Sequence, residues 1–120
     1  SLFECIECLV EKDDEVIIPS PYWVSYPEMV KFAGGKPVFV EGLEENGFKI
    51  TAEQLKKAIT AKTKVLMLNS PSNPVGSIYS KEELTQIAKV LEGTQITVLS
   101  DEMYEKLRYD GFDFVAFASV

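Results

Sequence analysis

The sequence predicts an α/β fold: a three-layer, doubly wound sheet of four mainly parallel strands with helices on both faces. Three observations carry this. Short apolar runs recur at Val16–Ile18, Pro37–Val40, Lys64–Leu68 and Ile96–Leu99. The segments between them place apolar residues at helical spacing. Those segments also carry helix start and stop signals. Strands alternating with helices need crossover connections, so the sheet is parallel and the crossovers right-handed.

Each element has its own reason. Residues 2–11 read as an amphipathic helix, with Leu2, Cys5, Ile6 and Leu9 at i, i+3, i+4 and i+7. That register turns Cys5 to the core and leaves Cys8 on a flank. Lys12-Asp13-Asp14 is a polar turn. The first strand, Val16–Ile18, is stopped by Pro19. A helix over Ser25–Ala33 tolerates Pro27 in its first turn and ends at Gly34-Gly35. After the second strand, Glu41–Ile50 reads as an acidic, solvated loop. Thr51 with Gln54, and Ser80 with Glu83, are capping boxes that open the next two helices. Leu55, Ala58 and Ile59 stripe one helix; Leu84, Ile87, Ala88 and Leu91 stripe the other, which Glu92-Gly93 closes. Beyond Lys106 the pattern weakens, and Phe112, Phe114 and Phe117 have no evident partner.

Composition bounds the function. A chain of 120 residues has room for one domain, and 46% hydrophobic with 26% charged residues is ordinary for a globular protein. A net charge of −7 argues against nucleic acid and anionic membrane surfaces. No apolar run reaches membrane-span length, and no signal peptide opens the chain, so a cytoplasmic protein is expected. There is no histidine, and Cys5-x-x-Cys8 supplies too few ligands for a structural zinc. These cysteines read as structural thiols, and no metal site is expected.

In an open α/β sheet, ligands bind outside the carboxyl ends of the strands. Distinctive residues follow three such ends: Trp23 after the first strand, Asn73 after the third, and Asp101 with Tyr104 after the fourth. Asn73 sits in Asn69–Gly76, a loop stiffened by Pro71 and Pro74. Plain alternatives stand beside each: a core tryptophan, a helix N-cap at Asp101, a half-buried tyrosine, an ordinary strand-to-helix loop. Taken together, a flat aromatic, an amide, a carboxylate and a phenol suit a planar polar heterocycle.

The stretches PSPYWVSYPEMVKFAGG, KVLMLNSPSNPVG and VLSDEMYEKL, within about Leu2 to Tyr109, resemble the class I/II aminotransferases of the fold-type I, pyridoxal-phosphate (PLP) enzymes, most closely their bacterial aspartate-type subgroup. The resemblance implies the large domain of such an enzyme, with strand order 2-1-3-4. It implies PLP as cofactor, an amino acid and a 2-oxo acid such as 2-oxoglutarate as substrates, and a homodimer. It also implies roles: Trp23 stacks on the PLP ring, Asn73 bonds the ring's 3-oxygen and helps hold the substrate carboxylate, Asp101 pairs with the ring nitrogen, and Tyr104 bonds the 3-oxygen. The family's Schiff-base lysine, its phosphate-binding turn and its carboxylate-binding arginine have no match among these residues. The chain is therefore expected to be an internal piece, inactive alone, with no catalytic lysine of its own and an edge beside the fourth strand open to association. Lys89 and Lys106 read as solvated charges. A receiver-like binding module and the sensor domain of a transcription regulator are the competing readings.

Overall fold

The computed structural model describes residues 1–107, 111 and 113–120. Four helices, α1 (Leu2–Leu9), α2 (Ser25–Phe32), α3 (Ala52–Ala58) and α4 (Lys81–Leu91), alternate with strands β1 (Glu15–Ser20), β2 (Lys36–Glu41), β3 (Thr63–Asn69) and β4 (Thr97–Asp101). The strands form one sheet in the order β2-β1-β3-β4, every pair parallel. This is the architecture expected from the sequence.

Period-2 alternation in the two central strands builds the three layers. Val16, Ile18, Val65 and Met67 pack with Ile6 and Val10 of the α1 segment and with Tyr26 and Val30 of α2. Ile17, Leu66 and Leu68 face the other way, onto Leu55 of α3 and Leu84 and Ile87 of α4. Because β1 and β3 are covered on both faces, they read as continuous apolar runs. Burying each of these side chains contributes about 1.5–3 kcal/mol. Both capping boxes form: Thr51 Oγ1 accepts from the Gln54 amide, and Ser80 Oγ accepts from the Glu83 amide. Gly34, with φ of 88°, ends the α2 segment in the left-handed region that a Cβ disfavours.

The structure corrects several expectations. β1 continues through Pro19 to Ser20, with Pro19 opposite Val40. Its register with β3 ends at Ile17, so the missing proline donor leaves no gap on that side. Cys5 is exposed, as is Cys8. The buried line of the first helix runs through Ile6 to Val10, which turns Cys5 outward. The 41–50 segment is ordered rather than a plain solvated loop: Glu44–Asn46 is a 3-10 turn, Leu43 bridges Lys49, and Ile50 is buried. Phe117 and Val115 do have a partner, packing against the α3–α4 side of the core, and the Phe117 amide donates to Glu102 Oε1 at 3.1 Å. Phe112, and Tyr109 at the limit of the resemblance, lie outside the described residues.

Candidate functional site

All strands being parallel, their carboxyl ends lie along one edge, and β3 and β4 end in register with Asn69 opposite Asp101. β1 delivers Pro21, Tyr22 and Trp23 to the same edge. The Ser20–Pro21, Ser70–Pro71 and Asn73–Pro74 peptide bonds are cis.

Asp101 is the best-anchored member of the group. Its Oδ2 accepts from the Tyr26 hydroxyl at 2.5 Å, and its Oδ1 accepts from the Met103 amide at 3.2 Å. Two donors on two oxygens fix the plane of the carboxyl group. The contact to Met103 is the turn-capping role that Asp is suited to after a strand; the contact to Tyr26 is additional. Tyr26 comes from the first turn of α2 and is only 2% exposed. Burial, reinforced by the neighbouring Asp101, pushes its phenol well above the ordinary tyrosine range. It therefore stays protonated and can only act as a donor toward Asp101.

Trp23 is 39% exposed and meets the Tyr26 ring edge-on, with centroids 5.6 Å apart and planes at 89°. At this exposure Trp23 is not a core side chain. Asn73 is half-buried, and its backbone amide donates to Asn69 Oδ1 at 2.7 Å. Among the described residues its side-chain amide makes no hydrogen bond. Tyr104, also half-buried, shares with Asn73 a shallow hollow walled by Pro74, Val75 and Leu107. A narrower crevice between the β1 and β3 ends is lined by Tyr22, Tyr26, Phe48, Asn69 and Tyr79.

The four residues singled out from sequence thus fall in two linked groups. Asn73 and Tyr104 share the hollow. Trp23 joins Asp101 through Tyr26 and does not line that hollow. Tyr26 and Asn69 were not among the expected site residues. Tyr26 reads in sequence as one more apolar-face residue of α2. The Trp23 and Tyr26 rings meet through the turn that leads into α2, where the Tyr26 amide donates to the Trp23 carbonyl at 3.0 Å.

No group of three or more metal-ligating side chains occurs among the described residues. None of the described helices is long and apolar enough to cross a membrane.

A doubly wound parallel sheet thus carries aromatic, amide, carboxylate and phenol groups along its carboxyl edge, the edge at which open α/β sheets take their ligands. The comparisons with known proteins give the family. Residues 1–120 match the model for aminotransferases of class I and II. The chain is 56% identical over 120 residues to the aspartate aminotransferase of Bacillus subtilis, a match covering 100% of this chain and 30% of that protein. Among solved structures, the aspartate aminotransferase of Rhizobium meliloti superposes with a TM-score of 0.94 at 44% identity, covering 98% of this chain and 30% of that one. The aromatic aminotransferase of Pyrococcus horikoshii gives 0.94 at 39% identity, covering 98% and 32%. The chain belongs to the class I and II aminotransferase family, and it spans 30% of the length of the first curated relatives it matches.

Proposed function

We propose that this chain is part of the cofactor-binding large domain of a PLP-dependent aminotransferase, a cytoplasmic homodimer. It transfers an amino group between an amino acid, aspartate by preference, and a 2-oxo acid such as 2-oxoglutarate. The observation that carries the reading is the anchored carboxylate of Asp101, linked through Tyr26 to the part-exposed Trp23 indole, with the Asn73 amide and the Tyr104 phenol sharing the neighbouring hollow. Aspartate is preferred because the relative at 56% identity is an aspartate aminotransferase, against 39% for the aromatic one.

The donor set fits a pyridine ring bearing a hydroxyl. Trp23 offers a flat apolar face for stacking. Asp101 offers a carboxylate held in one orientation. Asn73 and Tyr104 offer hydrogen-bond donors suited to an oxygen on the ring, and Asn73 has a second donor for a substrate carboxylate. Bound there, PLP supplies an electron sink for the negative charge that develops at the amino-acid α-carbon.

The protein's own part is orientation and proton placement. With PLP bound, Asp101 would face the ring nitrogen and would favour a proton there, because an opposite charge nearby stabilises the charged form. Tyr26 and the Met103 amide keep Asp101 from turning away. Trp23 shields one ring face from water. The covalent lysine comes from outside these 120 residues.

The test is made on the full-length protein. Added PLP is expected to give a visible absorption band that borohydride abolishes while fixing the cofactor onto a lysine, and aspartate with 2-oxoglutarate is expected to turn over. A protein that gives neither band nor turnover overturns the reading.

A further inference from the structure

The geometry points to Asn69 as a positioning residue that sets Asn73 and Asp101 relative to each other. The last residue of β3, it uses its whole side chain to tie the two neighbouring segments. Its Oδ1 accepts from the Asn73 backbone amide at 2.7 Å. Its Nδ2 donates to the Asp101 carbonyl oxygen at 2.9 Å and to the Pro71 carbonyl oxygen at 3.2 Å. The amide orientation is unambiguous, since turning it over would set oxygen against two carbonyls and NH2 against an N–H.

The two arms are not equal. The Asp101 carbonyl also accepts from the Ser70 amide at 3.2 Å, so β4 stays tied to β3 without Asn69. The Asn73 amide has only Asn69 Oδ1 among the described residues. Pro71 and Pro74 bring no amides of their own, and the loop's other hydrogen bonds join Ser72 to Gly76 and Ser77, Ser77 to Gly47 and Ser70 to Tyr79, none of them reaching Asn73. Removing the Asn69 side chain therefore frees Asn73 first. No other side chain replaces it: Asp lacks the two donors and sets a negative charge against carbonyl oxygens, Ala and Leu offer no polar atoms, and Gln is longer by a methylene.

This inference rests on the proposed function for its catalytic consequence but not for its structural one, and the experiment separates the two. In the cofactor-free full-length protein, Asn69→Ala is expected to speed hydrogen exchange at the Asn73 amide by about 10-fold or more, leaving α4 amides unchanged. In the PLP-loaded enzyme, Asn69→Ala is expected to lower kcat/KM by about 10- to 100-fold. On top of Asn73→Ala, the same change is expected to cost less than about threefold, because the two residues act through one contact. Unchanged exchange at Asn73 overturns the inference, as does an equal kinetic loss in both backgrounds, which marks general destabilisation. A wild-type protein that neither binds PLP nor turns over removes the functional reading, while the exchange measurement still decides whether Asn69 holds Asn73.

Discussion

Tyr26 and Asp101 stand 75 positions apart in the chain, and the Tyr26 hydroxyl donates to Asp101 Oδ2 across 2.5 Å. The contact joins the first turn of α2 to the end of β4, two elements that lie on opposite sides of β3 in chain order. Burial and the neighbouring Asp101 raise the Tyr26 phenol above the ordinary tyrosine range, so it meets the carboxylate as a hydrogen-bond donor.

Tyr26→Phe keeps the ring and its packing against Trp23 but deletes the donor. Among the described residues, the Asp101 carboxylate is then held only by the Met103 amide. The expected loss in the full-length enzyme is about 10-fold in kcat/KM, or about 1.4 kcal/mol. Steady-state kinetics beside thermal melts measure it. A fall in melting temperature with unchanged kcat/KM would show that the phenol serves folding alone.

Asp101→Asn removes the charge while keeping the size and the contact to Met103. The expected loss is larger than for Tyr26→Phe, roughly 100-fold or more, because the group facing the ring nitrogen is itself altered and not only its support. Near-wild-type turnover would end the proposed role of Asp101. Adding Tyr26→Phe to Asp101→Asn should cost little further, since both act on one group.

The layers were legible because each rests on local pattern. Val65 and Met67 alternate with Leu66 and Leu68, and Thr51 and Ser80 announce their helices before any tertiary contact exists. The candidate site was half legible for the same reason: Trp23, Asn73, Asp101 and Tyr104 follow strand ends, which sequence can locate. Tyr26 and Asn69 were not, because their importance lies in partners from later in the chain: Asp101 for Tyr26, and Pro71, Asn73 and Asp101 for Asn69. Cys5 was misplaced because the helical stripe through Leu2 fits two neighbouring registers, and only packing against β1 selects the one centred on Ile6 and Val10. The 41–50 segment looked solvated because its acidic residues dominate its composition. What orders it is nonlocal: Ile50 under the Tyr79 hydroxyl, and Lys49 against Glu83.

That same segment leaves no room at Gly42. A Cβ there would collide with the backbone carbonyl of Phe48 and stand 2.9 Å from the Lys49 nitrogen. Backbone cannot rotate away as a side chain can. Gly42→Ala is expected to destabilise the protein by about 1–3 kcal/mol in urea unfolding. Gly47→Ala makes a useful contrast, with φ of 63° but only the Lys49 side chain near its Cβ, at 3.6 Å. It is expected to cost about 1 kcal/mol. If the order of the two is reversed, the close approach of Gly42 to Phe48 is not what fixes the loop.

Glu83 gives the fold an acid limit. Lys49 Nζ lies 2.7 Å from Glu83 Oε1, the Ser80 amide donates to Oε2 at 2.7 Å, and the Lys49 and Glu83 side chains are 18% and 31% exposed. Burial by itself raises the Glu83 carboxyl, but Lys49 and the Ser80 amide outweigh it and hold the group below its ordinary value of 4.5. A value lower in the folded than in the unfolded chain means stability that is present above pH 4.5 and lost as pH falls through the folded value. Glu83→Gln keeps a capping-box side chain at N3 and removes only the charge, so it isolates this contribution. The expected cost at pH 7 is about 1 kcal/mol, kept small because the pair is partly solvated. Thermal melts of both proteins from pH 7 to pH 3 should show the difference narrowing as pH falls through the folded value, with wild type losing its advantage. Lys49→Met should give the same convergence, since Glu83 without its partner returns toward its ordinary value. A difference that stays constant across the whole range would mean that the ion pair does not carry the pH dependence.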